Sequence, residues 1–488
     1  MNRSQQQTAQ IVMITFWSQF SSYALNSILI LFLTRPLITH GLGYSEAKAY
    51  AFMGITNATG YLMPILGGFI ADRVLGLRRS IFLGGLILAL VYLLVMLSGY
   101  TIPYYGDGLF VAAYALIPAA SSLLMGNASG LIASIYTDDA IQAKTAMTYY
   151  YMAINLGALL AIIIAPSLLN SQYGPLSVLA LTFIGKSIAA MNFAYRYALY
   201  DDIVIGYDKK LLSWRARFIL VGYLVGIYLF TLLAYFYINL FSVIISCGCF
   251  IGIGWFLAKT FQLSGSARTK QLVACLLIFE AIIFFVIYNQ MNSTLILFAQ
   301  KNSDHQFLNF SISAAQYQIL NPLLILILGL QLPRFYQKFP RFTIPYQFAS
   351  GTLIAGIALF LVAMTAYHAQ DGIISGNMIA LTYLLISLAE LCVSAIGLSM
   401  IGLYCDRKAL GFAMGAWYLA GSLSNIFSGQ IAHFVAIPKD LSSPLQSIVI
   451  YQQYYLYMGL TTIVLGMFMF FIAWLLHKKL NLQGLSLV

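Results

Sequence analysis

Charged residues are scarce in this sequence. Asp, Glu, Lys and Arg together make up 8% of its 488 residues, whereas hydrophobic residues make up 61%. Soluble domains typically carry about a quarter charged residues. A water-soluble fold is therefore excluded, because the interior of such a domain could not hold so many apolar side chains. Lipid is the solvent that accommodates them, so we predict an all-α integral membrane protein.

Cysteine is also scarce, and the motifs of common enzymes are missing. Among the five cysteines, Cys247 and Cys249 are the closest pair, and no histidine cluster lies near them. The chain has no HExxH metal motif, no phosphate-binding loop ending in Lys-Ser or Lys-Thr, and no nucleophile elbow. We therefore predict no enzyme activity, no cofactor, no metal site and no direct drive by ATP.

Long apolar runs fill the chain instead. Each is close to the roughly 20 residues that a helix needs to cross the hydrocarbon core. The first run, from Ile11, is too long for the core of a signal peptide and is interpreted as a spanning helix. We predict fourteen spans, at 11–34, 47–71, 80–99, 109–135, 145–170, 175–196, 216–236, 238–258, 272–299, 313–333, 346–366, 376–402, 409–435 and 450–476.

The basic residues predict the orientation of these spans. With the N-terminus in the cytoplasm, 20 Lys and Arg residues fall inside and four fall outside. Such an excess on one side is typical of cytoplasmic loops, so both termini are expected inside. It also accounts for the net charge of +11 without nucleic acid, since the excess faces an anionic leaflet. The four outside are Arg35, Lys48, Lys301 and Lys439.

The order of spans predicts two halves. Six spans precede a charged connector between Arg196 and Arg217, which contains Asp208, Lys209 and Lys210. Two further spans and then six more follow it. Large transporter families are built from two such six-helix halves. We predict an N-terminal six-helix bundle at 1–200, a linker and two-helix insert at 201–260, and a C-terminal six-helix bundle at 261–488.

The connector between the second and third spans carries a recognisable pattern. Residues 67–79 read GGFIADRVLGLRR. Glycines permit close helix crossing and a tight turn, and the charges lie at helix ends where they can pair and reorganise. The run resembles the loop signature of the major facilitator superfamily and, with Pro64 ahead of it, that of the proton-dependent oligopeptide transporter family. The resemblance implies a gating role for Asp72 and Arg73.

Four further stretches resemble helix motifs of the same family. They are YMAINLG at 151–157, QILNP at 318–322, ELCVSAIGLS at 390–399 and MGAWYL at 414–419. Bacterial members also carry two extra helices between their halves, so the sequence is identified as a divergent bacterial-type member. The resemblance implies the major facilitator fold, with two six-helix bundles plus two extra helices, and transport of di- and tripeptides coupled to protons.

The resemblance also implies a set of substrate-binding residues. Glu390 matches the family glutamate that receives the α-amino group of the peptide. Aromatic side chains matching pocket-lining positions are Tyr23, Tyr61 and Trp417, although ordinary helix packing would also explain them. Amides expected to hydrogen-bond the peptide backbone are Asn155, Gln290 and Asn321.

Several charges that the family uses are missing here. The first helix of the family carries Glu-x-x-Glu-Arg, and the matching positions are Thr15, Ser18 and Gln19. A later basic position is Asn26, and Asn289 replaces the acidic residue that precedes glutamine in the seventh helix. The lysine of the fourth helix aligns with Met125. The resemblance therefore implies weak binding of a peptide carboxylate, and it leaves Gln19 at a coupling position without a charge.

What remains in the first span is a polar stripe at helical spacing: Thr15, Ser18, Gln19, Ser22 and Asn26. Interhelical hydrogen bonding is one interpretation, because small polar residues often link membrane helices. The other is a stripe lining a cavity, which we favour because five polar groups exceed what packing needs. The ninth span has a similar polar patch, formed by Asn289, Gln290, Asn292 and Ser293.

Three charged residues stand out as candidates within predicted spans: Lys186, Glu280 and Glu390. Each costs roughly 2.5–3.5 kcal/mol on insertion scales, so a function is the default hypothesis. For Glu390 the alternatives are substrate binding and a structural ion pair. Glu280 is a candidate for a compensating proton site. Lys186 either pairs with a carboxylate or extends to the membrane surface.

Three functional hypotheses follow. The first is a secondary active transporter of di- or tripeptides, or peptide-like solutes, working by alternating access and importing with proton coupling. The second is a facilitator or exporter of another small solute, such as a peptide-like metal chelate. The third is a non-transporting membrane sensor. The expected partners are the small-molecule substrate, protons and membrane lipid, and the expected state is a monomer in the bacterial inner membrane.

Overall fold

The structure is a computed structural model. It describes residues 2–136, 139–203, 212–329, 331–339, 342–406, 410–438, 441 and 443–482. Several residues counted in the predicted orientation and linker lie outside this part of the chain. They are Asp208, Lys209, Lys210, Arg341, Arg407, Lys408 and Lys439.

The described residues are almost entirely helical. Eighteen α-helices are found within them, in chain order α1 (Arg3–Thr34), α2 (Glu46–Ile70), α3 (Leu77–Tyr105), α4 (Gly108–Tyr114), α5 (Ile117–Leu124), α6 (Asn127–Ile135), α7 (Ala140–Leu169), α8 (Gly174–Tyr195), α9 (Trp214–Phe236), α10 (Ile238–Phe261), α11 (Gly265–Tyr288), α12 (Thr294–Asn302), α13 (Leu320–Gly329), α14 (Leu332–Lys338), α15 (Ile344–Tyr367), α16 (Gly376–Tyr404), α17 (Leu410–Ala432) and α18 (Pro444–Leu482). A short antiparallel hairpin joins β1 (Gln306–Phe307) to β2 (Phe310–Ser311).

Eleven helical segments in the described residues are long and apolar enough to cross a membrane. They match eleven of the predicted spans. The other three, at 47–71, 313–333 and 409–435, fall on Glu46–Ile70, Ala314–Gly329 and Leu410–Ala432, which are shorter or slightly less apolar. The prediction of about fourteen membrane helices therefore has a helical counterpart for every span.

Two predicted spans are interrupted helices. The span at 109–135 consists of α4, α5 and α6, and its second break lies at Met125, which is extended, and Gly126, whose φ is +82°. The span at 272–299 consists of α11 and α12, joined by a 3₁₀ turn at Asn289–Asn292. Broken helices leave backbone groups without intrahelical partners, and membrane proteins tolerate them where they line a cavity or are buried in protein.

The chain divides into two compact units. The first comprises Met1–Tyr44 and Thr59–Phe241, and the second comprises Ser45–Ala58 and Ser242–Val488. The division runs through α2, and it places α9 in the first unit and all but the first turn of α10 in the second. The predicted boundaries at 200 and 260 stay a prediction.

The first unit is built around α1. Its start is a capping box, in which the Asn2 side chain accepts from the Gln5 amide and the Gln5 side chain accepts from the Asn2 amide. The helix packs on α7 and α8, and α3 packs on α8 and α5. On the outer side α9 is held by a Thr231 hydroxyl that donates to the Ala115 carbonyl at 2.6 Å. Much of α9 remains exposed, as a lipid-facing helix requires.

The second unit is built around α15, α16 and α18, and α11 packs on α17. The N-terminal part of α2 also belongs to it. There Glu46 pairs with Lys301 of α12, and its second carboxylate oxygen accepts from the Ile437 amide at 2.9 Å. Glu46 is 8% exposed, so this ion pair is a largely buried link among three segments of the unit.

Candidate functional site

The polar stripe of α1 runs from a packed end to an exposed end. Thr15 and Ser18 are buried, Gln19 and Ser22 are half-buried, and Asn26 is exposed. Both interpretations of the stripe therefore apply to different parts of it. The buried part bonds to a neighbouring helix, and the exposed part is free to meet solvent or solute.

A buried lysine occupies the packed part of the stripe. Lys186 of α8 is 4% exposed, and its Nζ donates to the Ser18 carbonyl at 2.6 Å, the Ser18 hydroxyl at 2.9 Å and the Ser22 hydroxyl at 2.8 Å. Its Nζ also lies 5.4 Å from the centre of the Tyr92 ring. These four residues are called the Lys186 cluster below. The predicted carboxylate partner of Lys186 is not found in the described part of the chain.

Small groups bring α8 close enough to α1 for these bonds. Gly185 faces α1, where a Cβ would collide with the Ser21 hydroxyl. That hydroxyl donates to the Thr182 carbonyl at 2.8 Å. Membrane helices commonly approach closely at small residues and bond across the contact. The sequence signal for this contact is a glycine directly before a lysine in the middle of a predicted span.

The remaining predicted residues of the first unit are accessible or locally bonded. Tyr23 is 37% exposed and Tyr61 is 45% exposed. Asn155 is 7% exposed, and its amide donates to the Tyr151 carbonyl of its own helix at 3.0 Å. Met125 stands 47% exposed at the break before Gly126. Tyr23, Tyr61 and Asn26 are thus exposed, whereas Asn155 is buried and would have to break its bond to Tyr151 to contact a solute.

Glu390 in the second unit is held by amide and hydroxyl groups. The Asn321 amide donates to its Oε2 at 2.6 Å and to the Ser387 hydroxyl at 3.1 Å, and Tyr288 hydrogen-bonds the carboxylate as well. The Glu390 side chain is half-buried on α16. No cation pairs with it among the described residues, so the alternative of a structural ion pair gains no support. These residues are called the Glu390 cluster.

Unlike Glu390, Gln290 is fully buried, and all of its side-chain hydrogen-bonding positions are occupied. Its amide nitrogen donates to the Ser428 hydroxyl at 2.9 Å and to the Val286 carbonyl at 3.0 Å. Its carbonyl oxygen accepts from the Thr294 hydroxyl at 3.0 Å and the Tyr454 hydroxyl at 2.8 Å. A primary amide makes four such bonds at most. Contact with a substrate would therefore require one of these bonds to open.

Asn289 and Trp417, the other predicted substrate-binding residues of the second unit, differ in their hydrogen bonding and packing. The side-chain amide nitrogen of Asn289, at the broken end of α11, is buried and has no hydrogen-bond partner among the residues that the structure describes. Trp417 is half-buried, with its ring 5.9 Å from Phe285 and 6.4 Å from Phe348, and it packs against Gly397. Asn289 thus has a donor to spare, whereas Trp417 takes part in ordinary packing along at least one face.

The predicted coupling residues lie in dissimilar surroundings. Glu280 on α11 is 5% exposed, and its Oε2 has no hydrogen-bond partner among the described residues. Asp72 and Arg73 are exposed in a π-helical turn, Ala71–Leu75, with the Arg73 guanidinium 5.4 Å from the Phe69 ring centre. Buried carboxylates are costly unless neutral or paired, which makes Glu280 the more unusual group.

The loop signature contains one pair that the sequence did not single out. Arg78 is 9% exposed, pairs with Asp201, and stacks 4.3 Å from the centre of the Tyr197 ring. Nearby, the Tyr200 hydroxyl donates to the Gln7 carbonyl at 2.9 Å. The segment after α8 thus fastens onto the starts of α1 and α3. The partners lie about 120 and 190 residues apart in sequence, so only the fold brings them together.

Comparison with known proteins gives a family and close relatives. The sequence profile of the POT family matches residues 78–448. The dipeptide and tripeptide permease A of Cronobacter turicensis is 32% identical over 478 residues, which is 96% of this chain and 92% of the relative. The same-named protein of Salmonella typhimurium is 31% identical over 479 residues, with 96% and 91% covered. That of Chromobacterium violaceum is 32% identical over 477 residues, with 96% and 93% covered.

Solved structures resemble this fold along its whole length. Tetrameric PepTSo2 superposes with a TM-score of 0.85 at 22% identity and covers 98% of this chain and 100% of its own. A bacterial homologue of the human drug peptide transporters gives 0.83 at 23% identity, with 98% and 99% covered. A structure described for substrate recognition in proton dependent oligopeptide transporters gives 0.80 at 25%, with 97% and 99% covered. The predicted all-α membrane fold of the major facilitator type is confirmed.

Proposed function

The chain belongs to the POT family, and on that premise we propose that it is a secondary active transporter that takes up di- and tripeptides by alternating access. The names of its curated relatives support peptides over a metal chelate or a sensing role. The observation that carries the proposal is the Glu390 cluster, a half-buried carboxylate that is oriented by Asn321 and has no cation partner among the described residues.

Glu390 would receive the peptide α-amino group. An ammonium about 4 Å from a carboxylate gains about 4 kcal/mol at an effective dielectric near 20. Asn321 would hold the carboxylate in place, since its bond to Oε2 is short and charge-assisted. The remaining backbone contacts would come from Asn289 and Asn155, with Tyr23, Tyr61 and Trp417 meeting side chains. Gln290 would act indirectly, by holding the broken end of α11.

The carboxylate end of the peptide would be bound weakly. The matching cationic positions are Gln19, Asn26 and Met125 here, which offer amides or an apolar chain. We expect transport to tolerate a C-terminal amide. Unlabelled Ala-Ala and its C-terminal amide should inhibit uptake of labelled Ala-Ala with inhibition constants that agree within about threefold. This difference is smaller than the factor of ten that corresponds to 1.4 kcal/mol of binding free energy. N-acetyl-Ala-Ala should compete poorly, because its amino group is no longer a cation.

Uptake coupled to protons is part of the proposal. Glu280 would be a proton-binding carboxylate, and Asp72 and Arg73 would reorganise during the conformational cycle. Gln19 would not bind a coupled proton, because its side chain is an uncharged amide. The transporter would lie in the bacterial inner membrane with both termini in the cytoplasm. We propose a monomer surrounded by lipid and without an enzymatic activity of its own.

The test is uptake of labelled Ala-Ala into proteoliposomes, with and without an inward proton gradient. Wild-type protein should exchange Ala-Ala without a gradient and accumulate it with one. Glu390→Gln should raise the KM at least tenfold, about 1.4 kcal/mol of lost binding, while Asp371→Asn, an exposed acid on a loop, should leave it unchanged. Wild-type vesicles that neither exchange nor accumulate any di- or tripeptide would overturn the peptide assignment.

A further inference from the structure

Lys186 is surrounded by oxygen atoms, and no residue of opposite charge contacts it in the described part of the chain. Its Nζ meets one carbonyl and two hydroxyl groups of α1 within 2.9 Å. Within the described residues it forms no ion pair. A charge buried in a membrane protein is normally paired or functional.

The three oxygens can serve both protonation states of the amine. An ammonium has three donors, and the Ser18 carbonyl and the two hydroxyls supply three acceptors. A neutral amine has two donors and one acceptor, and a serine hydroxyl can rotate to donate to it. In either state the amine itself has a partner for each of its donors and for its lone pair. A carboxylate in place of the hydroxyls would instead hold the lysine in its charged form.

The surroundings leave room for a proton carrier but not for a solute. A cavity of about 10 Å³ lies against Lys186 and Ser18, lined otherwise by apolar side chains of α1, α3, α5 and α8. That is about the volume one water needs, and too small for a carboxylate. The helices packed against α8 are α1, α3 and α7. The titratable group they place at Nζ, among the described contacts, is the phenol of Tyr92.

We propose that Lys186 is a proton-binding residue of the transport cycle, held by the hydroxyl groups of Ser18 and Ser22. A proton adds to the Nζ lone pair from one side of the membrane and leaves from the same nitrogen to the other. In the neutral state one serine hydroxyl donates a hydrogen bond to Nζ. After protonation Nζ donates to the oxygen of that hydroxyl instead. Because Ser18 and Ser22 lie on α1, the hydrogen bonds that tie α1 to α8 change with each proton.

This inference rests on the proposed peptide transport, and it is tested by separating exchange from coupling. Proteoliposomes carrying wild type, Lys186→Met, Lys186→Arg or the exposed control Lys144→Met are loaded with pyranine. Exchange of labelled Ala-Ala at equal pH is measured in all of them. Accumulation and lumen acidification are then measured with an inward proton gradient of one pH unit, which drives at most about tenfold accumulation per proton.

Wild type and Lys144→Met should accumulate Ala-Ala above equilibrium and acidify the lumen. Lys186→Met, which has no titratable group, and Lys186→Arg, which keeps its charge at all accessible pH values, should exchange Ala-Ala but stop at equilibrium without acidification. Their exchange should also lose the pH dependence seen in wild type. Ser22→Ala keeps the amine and should keep coupling, with the pH dependence displaced.

Other outcomes would overturn the assignment. If both Lys186 variants still accumulate and acidify, Lys186 carries no coupled proton. If both lose exchange in parallel with accumulation, Lys186 supports the structure or the binding of peptide, and the coupling role is wrong. If wild type itself neither exchanges nor accumulates Ala-Ala, the proposed function fails, and this outcome is distinct from the other two.

Discussion

Replacing Gln290 by leucine tests whether this amide holds the protein together or touches the substrate. The side chain is fully buried, and all four of its hydrogen-bonding positions are occupied. Leucine has nearly the same size, so the change removes the amide without leaving a large cavity. Its effect therefore measures the loss of the hydrogen bonds alone.

The cost can be worked out from the partners. Tyr454 is 7% exposed, and its hydroxyl loses its acceptor in Gln290→Leu. A buried group left unsatisfied costs about 1–3 kcal/mol. Ser428 and Thr294 can turn to carbonyls of their own helices, which recovers part of their bonds. Adding about 0.5–1.5 kcal/mol for the bonds they lose gives a total of about 2–4 kcal/mol.

The assay is denaturant unfolding of the purified protein in detergent, followed by tryptophan fluorescence. Gln290→Leu should lower the free energy of unfolding by the amount above, whereas Gln262→Leu, at an exposed end of α10, should change it by less than about 0.5 kcal/mol. Tyr454→Phe should cost about 1 kcal/mol. The double variant should cost less than the sum, because the two side chains share one bond.

Transport kinetics complete the test. If Gln290 only positions α11 and α12, Gln290→Leu should lower the amount of folded protein and the maximal rate. The KM for Ala-Ala should then change by less than about threefold, which is below the tenfold change that corresponds to 1.4 kcal/mol. The network interpretation would be refuted by a variant of unchanged stability whose KM rises tenfold or more. That result would make Gln290 a direct substrate ligand.

Three further predictions concern contacts that fasten each unit. Glu46→Gln should lower the free energy of unfolding by about 2–4 kcal/mol, which is slightly less than the 3–5 kcal/mol expected for a broken buried ion pair because Lys301 is 25% exposed. In a protein that already carries Glu46→Gln, the further change Lys301→Gln should cost no more than a surface substitution. A double-variant cycle of unfolding measures this difference. Gly185→Ala should lower stability by about 1–3 kcal/mol through overpacking against α1, and preserved thermal stability would contradict the close contact. Arg78→Ala should loosen the segment around Asp201 and raise its cleavage by a soluble protease, whereas cleavage equal to wild type would show that this pair does not hold the segment.

The sequence predicted the helices well because membrane burial imposes a simple requirement. Every backbone group must be satisfied within its own span, so length and apolar composition identify the segments. Each predicted span has a helical counterpart, and the family resemblance in the motifs was confirmed by the matching profile and relatives. The breaks at Met125 and Asn289–Asn292 were not predicted, because each lies inside a span whose length and overall apolar composition suffice for one continuous helix.

The site was predicted less completely, because a motif names residues without saying what they bond. Gln290 and Asn289 are adjacent in sequence, yet one amide is saturated and the other has a spare donor. Their difference comes from Ser428 and Tyr454, which lie more than a hundred residues away. No local pattern records such partners. The substrate-binding and coupling roles of the individual residues stay predictions.

Scarcity of charge was sufficient to place this chain in a membrane, since so few polar groups cannot keep its apolar surface in water. The same scarcity drew attention to Lys186, Glu280 and Glu390 as costly exceptions. Their surroundings were decided by tertiary structure alone: hydroxyls for Lys186, an amide for Glu390, and no hydrogen-bond partner for the Oε2 of Glu280 among the described residues. The reason is physical, because the cost of a buried charge depends on which groups the fold brings within about 3 Å of it.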